Sequence, residues 1–435
     1  MADEGIHVVI IGAGLAGLAA ALSTKLANPS HRVTICETVR ELQEVGAGLQ
    51  VTPNGTLLLD RWGLSSTLQP LAAIPTTLSV HRYDGTKLLA HEPALQDKVV
   101  TRYGHPFWDI HRVDLQKAMV TRCRDLGVEI LLDARAVSVD FGSSSVRLAS
   151  GLTIKGDAVL LADGLWSSIR PAFVGKPSPA VLTGDLAFRI TLRLDELDGP
   201  DADELASLIQ KNPTVRFWIG PNAHAVGYSV RAGSMYNLVL LCPDDLPESV
   251  VKQEGSLEEM RARFEGWDPL LHRLLGQVKI PVHKWKLMWL EPLDRWADGA
   301  GTFYMAGDCC HPMLPYLAQG ANSSLEDGAV LGHLLGKVSG NKKGAQLPRV
   351  AEMYQRLRMP RGRRIQLETF AQRDDSHLED GPRQEERDRV FERALETGEP
   401  TAPFPSRWTC PEIQRFLWGY DAYEEAERAF RESPF

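Results

Sequence analysis

Ile6-His-Val-Val-Ile-Ile11-Gly12-Ala-Gly14-Leu-Ala-Gly17, running on to Arg32-Val-Thr-Ile-Cys36-Glu37, contains one complete structural unit. Residues 6–11 are β-branched and almost unbroken in apolar character, as in a strand buried on both faces of a parallel sheet. Residues 18–26 are rich in Ala and Leu and favour helix, which Asn28-Pro29-Ser30 stops before a second strand over 32–36. The result is a βαβ unit of roughly thirty residues. Its glycines carry no Cβ, so the backbone N–H groups at the helix start can approach a pyrophosphate. Glu37, about twenty residues beyond Gly17, is placed to accept from a ribose hydroxyl. Gly12, Gly14, Gly17 and Glu37 are therefore candidate cofactor residues. Tight helix–strand packing is the competing use of the glycines, and the pattern alone does not separate NAD from FAD.

The chain has 435 residues, too many for one ordinary core, so two interleaved or consecutive domains are expected. It is 43% apolar and 24% charged, without repeats or low-complexity tracts, as a packed globular protein should be. A net charge of −8 argues against general affinity for nucleic acid or an anionic membrane and leaves small molecules as partners. The opening MADEG has no basic leader character, and no apolar run reaches the roughly 20 residues of a membrane span. A cytoplasmic location and a monomer or homodimer are the expectation. The six cysteines, Cys36, Cys123, Cys242, Cys309, Cys310 and Cys410, lack metal-ligand spacing, so no metal site and no disulfide framework are expected. Cys309-Cys310 reads as a pair of small apolar thiols.

Further strands are expected at 157–162, ending in Asp163-Gly164, and at 302–306, ending in Gly307-Asp308; both lead into helical sequence. Between them, 184–194, 215–220, 225–231, 236–242 and 278–290 read as strands of an antiparallel sheet, with a helix near 257–264. The segment 361–396 is dense in Arg, Glu and Asp and reads as solvated helix joined by loops, with a Pro-containing linker at 401–405.

Four more stretches join the glycine turn: Glu44-Val-Gly-Ala-Gly48-Leu-Gln50-Val-Thr-Pro53-Asn54; His111-Arg112-Val-Asp-Leu115; Asp163-Gly164-Leu-Trp-Ser167-Ser-Ile-Arg170; and Gly307-Asp308-Cys-Cys-His311-Pro312 through Pro315, Gln319, Gly320, Ala321, Asn322 to Glu326-Asp327-Gly328. With these, residues 6 to about 360 resemble the single-component FAD-dependent aromatic-ring hydroxylases typified by salicylate and p-hydroxybenzoate hydroxylases, and more closely the fungal members. The resemblance implies an α/β fold in which a Rossmann-like FAD-binding domain (1–75, 105–183 and 293–370) is interleaved with an antiparallel-sheet substrate domain (76–104 and 184–292), followed by a helical C-terminus (371–435).

It also implies an oxidoreductase that reduces FAD with NADPH or NADH, adds O2 at flavin C4a, and hydroxylates an aromatic or other electron-rich molecule, in fungal secondary metabolism or aromatic-acid breakdown. Epoxidation or oxidation of an alkene or indole is the alternative, and a non-catalytic protein on the same fold is a third. By the same resemblance Gly48, Gln50, Arg112, Asp163, Asp308, Gly320, Ala321 and Asn322 surround FAD, with Asp308 on the ribityl chain and the backbone of Gly320, Ala321 and Asn322 near the pyrimidine side of the isoalloxazine. Physically, Arg112 can fork onto phosphate or ribose oxygens, or be an ordinary arginine at a helix start. Ser167 and Arg170 either contact ligand or hold their turn. Ser323 and Glu326 have capping-box spacing, which would begin a helix at the flavin. His311 either orders its loop or acts as a base.

In the middle sheet, Arg189 and Tyr228 resemble a substrate-binding pair: Arg189 to hold a phenolate or carboxylate and lower its pKa, Tyr228 to donate to the same oxygen. Ordinary cross-strand partners would explain them equally well, and His224 reads as a turn residue. One dinucleotide fingerprint is present, not two, which favours the hydroxylases in which the nicotinamide visits transiently.

Overall fold

The computed structural model describes residues 5–42, 48–398, 400 and 404–435. The stretch 44–47 and the expected linker residues 401–403 lie outside these. The quoted βαβ unit forms as read: strands His7–Ile11 and Arg32–Cys36 pair in parallel around helix Leu15–Ala27. His7–Ile11 becomes the centre of a parallel sheet ordered Phe303–Met305, Ala158–Leu161, His7–Ile11, Arg32–Cys36, Glu129–Leu131. Four of its five residues are buried, as its apolar run requires.

A larger sheet runs Lys252–Gly255, Val282–Trp289, Val181–Arg193, Met235–Pro243, Ala223–Val230, Thr214–Gly220, Thr77–Arg82, Leu88–Pro93. It is antiparallel except where Thr214–Gly220 runs parallel to Thr77–Arg82, a pairing between segments far apart in sequence. One face rests on Leu257–Arg263, Pro269–Gly276 and Ala202–Lys211, whose Met260, Leu271, Leu274, Leu205 and Ile209 join Phe188, Leu238 and Leu240 in an apolar cluster. On the other, Leu78, Phe217 and Ile219 pack with Phe391, Trp408 and Trp418, and Ala187 and Leu241 with Leu314 and Tyr316. A short pair, Gly48–Val51 against Trp108–His111, lies between the two sheets.

Helix Gln319–Leu335 packs directly on Leu15–Ala27. A Cβ on Gly328, Gly332 or Gly336 would fall 2.4, 2.5 or 2.2 Å from atoms of Ala20, Ser23 and Ala27 respectively. The contacts advance together along both chains, so the helices are parallel. Their N-termini point the same way, and the second projects about one turn beyond the first.

Two expectations are corrected. The charged tract after Pro360 belongs to a single helix, Lys343–Ser376, that carries Pro348 and Pro360 internally, and then to Pro382–Thr397. It is not all solvated face: Arg361 and Arg387 are buried, along with Arg358 just before the tract, because carboxylates inside the fold meet them. His224 is no turn residue but sits in strand Ala223–Val230, buried, its Nδ1 2.7 Å from Nε2 of His377. Burial drives its pKa well down, so that pair is held neutral.

Candidate functional site

At the dinucleotide turn the glycines have separate causes. Gly12 has φ +105°, and a Cβ there would meet the Ala162 carbonyl at 2.4 Å; a Cβ on Gly17 would lie 2.1 Å from the Gly12 oxygen. Those two serve packing. Gly14 is different: its nearest atom would be 3.9 Å away, so its lack of a side chain leaves open space above the helix start. No side chain caps that helix, whose first N–H groups have no partner within it. The Ala13 peptide is held on both sides, its N–H donating to Glu37 Oε2 at 2.7 Å and its carbonyl accepting from Gln116 Nε2 at 2.9 Å. Gln116 carried no signal in the sequence.

Asp163 follows strand Ala158–Leu161 directly. Its Oδ1 is buried without a hydrogen-bond partner, and burial lifts its pKa to about 6 against the pull of Ser167 and Arg170. Such an orphaned acceptor is costly unless something binds it. Ser167 and Arg170 hold the turn: Ser167 Oγ accepts from the Arg170 N–H, and the Arg170 guanidinium donates to the carbonyls of Leu165, Cys309 and Ser178. This ties the Asp163 loop to the Gly307 loop. Asp308, in the short turn Gly307–Cys309, stays open to solvent while protein surrounds it. Burial raises its pKa, opposed by His311, Arg112 and Arg189.

A cavity of about 180 Å³ lies between the two sheets, and Gly48, Gln50, Arg112, Arg189, Tyr228, Gly320 and Ala321 line it together with Val226, Val239, Leu241, Met313, Leu314 and Pro315. Seven of the residues singled out by sequence thus meet in one space. Arg112 is the first residue of helix Arg112–Asp125. Neither Arg112 nor Arg189 has a hydrogen bond or ion pair among the described residues; Asp114, two residues on from Arg112, is taken by Arg231 at 3.2 Å. Arg189 is exposed to the open cavity, but the protein around it partly desolvates the guanidinium and presses its pKa down, with Arg112 adding to it and Tyr228 and Asp308 opposing. Tyr228 is buried, which pushes its phenol pKa up, and its hydroxyl makes no hydrogen bond among the described residues.

Helix Gln319–Leu335 opens onto this cavity. Its N-cap is Ala318 at φ +51°, without a side-chain cap. The capping-box expectation is therefore corrected: the helix begins before Ser323, and Glu326 lies inside it. Asn322 is fully buried and off the cavity wall, its side-chain amide spent on the Gln50 and Ala318 carbonyls and the Thr52 N–H. Gln50 in turn donates to Asp109, a buried carboxyl whose pKa burial pushes well up.

Glu326 and Asp327 enter a buried ion network instead. Arg361 forks onto Glu326 with two contacts of 2.7 Å; Arg358 bridges Glu326 at 2.8 Å and Asp327 at 2.7 Å; Asn54 donates to Glu326 at 2.7 Å. His311 Nε2 lies 2.5 Å from Asp327, which also accepts from the Gly307 N–H. His311 is fully buried and stacked on Trp296, so geometrically it orders its loop. Cys310, His311 and Asp327 come within 4.8 Å of one another, but the Asp327 oxygens are already bound to His311, Arg358 and Gly307, which makes the cluster an ion-pair network. Arg358 and Arg361, one turn apart on a helix, were the available sequence signal for it.

Burial opposes ionisation of Asp327, yet His311 and Arg358 overcome it and lower its pKa from 3.8 to about 2. A depressed carboxyl adds stability above its unfolded pKa and loses it as pH falls through the folded value. Asp327 should therefore contribute about 2 kcal/mol of stability that disappears between roughly pH 4 and pH 2. Asp327→Asn should flatten the unfolding free energy across that window, read by denaturant titration at several pH values; an unchanged acid limb would contradict this origin.

The FAD-binding domain family model matches residues 5–369. The chain is 50% identical over 431 residues to the FAD-dependent monooxygenase OpS4 of Beauveria bassiana, covering 98% of this chain and 97% of that one. It is 33% identical over 365 residues to a 3-hydroxybenzoate 6-hydroxylase of Polaromonas naphthalenivorans, covering 83% and 86%. A salicylate hydroxylase substrate complex superposes with a TM-score of 0.77 at 22% identity, covering 98% of each chain. Among the described residues no helix is long and apolar enough to cross a membrane. The chain shares its fold with salicylate hydroxylase and belongs to the FAD-binding domain family, among its FAD-dependent monooxygenases.

Proposed function

We propose that this enzyme uses NADPH or NADH and O2 to hydroxylate an aromatic or otherwise electron-rich small molecule bearing an anionic oxygen. The observation that carries this reading is the cavity in which the unpaired Arg189 guanidinium and the Tyr228 hydroxyl share a wall opposite the open start of helix Gln319–Leu335. The 3-hydroxybenzoate named for one relative is an aromatic anion of that kind.

The residues present fit FAD. Open space at Gly14, the orphaned Asp163 oxygen and two uncapped parallel helix starts are what a pyrophosphate and an electron-accepting ring would complete. Gly14, Glu37, Arg112, Asp163 and Asp308 would hold its nucleotide and ribityl parts on the turn whose close packing Gly12 and Gly17 permit, and Gly48, Gln50, Gly320, Ala321 and the Asn322 backbone would border its ring. Bound FAD supplies the redox chemistry, taking hydride and activating O2. Arg189 stabilises a substrate oxyanion and so favours the ionised, more electron-rich ring. Tyr228, kept protonated by burial, donates to the same oxygen. The apolar side chains of Val226, Val239, Leu241 and Leu314 exclude water around the reacting carbon.

Turnover with a phenolic-acid panel under ¹⁸O2 tests the reading: one labelled oxygen per product and one NAD(P)H consumed are expected, whereas hydrogen peroxide without labelled product would indicate an oxidase. Asp308→Ala should purify without its flavin absorbance. Stoichiometric FAD in that variant would remove Asp308 from the cofactor site.

A further inference from the structure

On the cavity face of the large sheet, three side chains form a row across three adjacent strands. Lys252 is on the outermost strand and pairs across with Trp285; Trp285 pairs with Ala187, two residues from Arg189 on the same face. Lys252 Nζ lies 4.3 Å from the Trp285 ring centre and the Arg189 guanidinium carbon 5.8 Å from it. The row therefore runs from the exposed sheet edge to the cavity that Arg189 lines. Trp285 is only half-buried and belongs to none of the apolar clusters.

The charges on this face are not neutralised. Lys252 and Arg189 have no ion pair or hydrogen bond among the described residues, although the protein carries a net charge of −8. On the opposite face of the same strand, Lys284 contacts Asp245 and Glu259, and Lys286 contacts Asp244. Glu254 shares the cavity face, across from His283, and pairs with neither cation. An indole between two unpaired cations matches an aromatic ring that carries negative charge: the ring stacks, and the anion finds a cation on either side.

We propose that Lys252 and Trp285 form an outer subsite that captures an aromatic anion at the sheet edge and passes it to Arg189; this rests on the reading of Arg189 as the anion-holding residue. The subsite acts on arrival. It concentrates anions at the mouth of the cavity and leaves the bound complex unchanged.

The test is stopped-flow mixing of the oxidised, FAD-loaded enzyme with monocyclic phenolic carboxylates, 3-hydroxybenzoate among them, and with uncharged phenol, followed by the flavin absorbance change. Lys252→Glu is expected to slow association of the carboxylates about tenfold at low ionic strength and to converge on wild type in roughly 0.5 M salt. Phenol association and the saturated turnover rate should stay within about twofold. Trp285→Ala should slow both aromatic probes, the carboxylates more. Wild-type association in both variants overturns the subsite. So does a weakened apparent affinity for NADPH with carboxylate association intact, which would assign the row to the nicotinamide nucleotide. Unchanged affinity for both the carboxylates and phenol in Arg189→Ala overturns the reading of Arg189 itself.

Discussion

Arg189→Ala is expected to purify with its flavin intact and to oxidise NAD(P)H while releasing hydrogen peroxide in place of hydroxylated product. Arg189 projects into the cavity from the middle of strand Val181–Arg193, with no partner among the described residues, so its removal leaves no buried carboxylate stranded and should not unfold the sheet. What is lost is a charge-assisted contact to the substrate oxyanion, worth about 1.5–3 kcal/mol, or roughly 10–150-fold in affinity. The phenol would also ionise less readily beside alanine. Arg189→Lys should recover part of the affinity but not the coupling, because a single ammonium does not reproduce the guanidinium fork. Product per NADPH, measured beside flavin content, decides the matter: coupled turnover in Arg189→Ala would mean that the arginine is an ordinary strand residue.

Arg358→Met should be the most destabilising single change in the protein's interior. Arg358 is fully buried and touches two buried carboxylates, Glu326 and Asp327. Removing one member of a buried ion cluster while the others keep their charge costs about 3–5 kcal/mol, far more than the net value of the intact cluster. Arg361 still covers Glu326 after the change, but Asp327 keeps only His311 and the Gly307 N–H. Asp327 anchors the Gly307 N–H, so the loss should also loosen the loop that carries Asp308. Urea unfolding of the FAD-loaded protein should register the full cost. A change below about 1 kcal/mol would show that the site relaxes or admits water.

The glycine turn was legible in sequence because its three glycines, its flanking strands and Glu37 act within one short segment. Arg112, Arg189, Tyr228 and Gly320 were legible only one at a time: nothing local says that four distant segments line one cavity. The capping-box expectation at Ser323 failed because Ala318 adopts a left-handed conformation and starts the helix earlier, a backbone choice that alanine does not advertise. Reading the Arg-rich tract as solvated failed for a related reason. Charge predicts exposure only when no buried counter-charge waits elsewhere, and Glu326 and Asp327 lie more than a helix away in sequence. Asn322 was singled out for its backbone, and its side chain has a second task that the motif does not reveal, joining Gln50, Thr52 and Ala318.

The central position of His7–Ile11 in the parallel sheet bears on how the protein comes to exist. On one flank this strand pairs with Arg32–Cys36, but on the other it pairs with Ala158–Leu161, which in turn needs Phe303–Met305. This strand is thus fully enclosed only by segments synthesised well after it. During translation its apolar run must wait, exposed or guarded by a chaperone, until Ala158–Leu161 and then Phe303–Met305 have left the ribosome. Flavin capture should accordingly be a late event, following release of the chain, and a nascent chain stalled before residue 300 should hold no FAD.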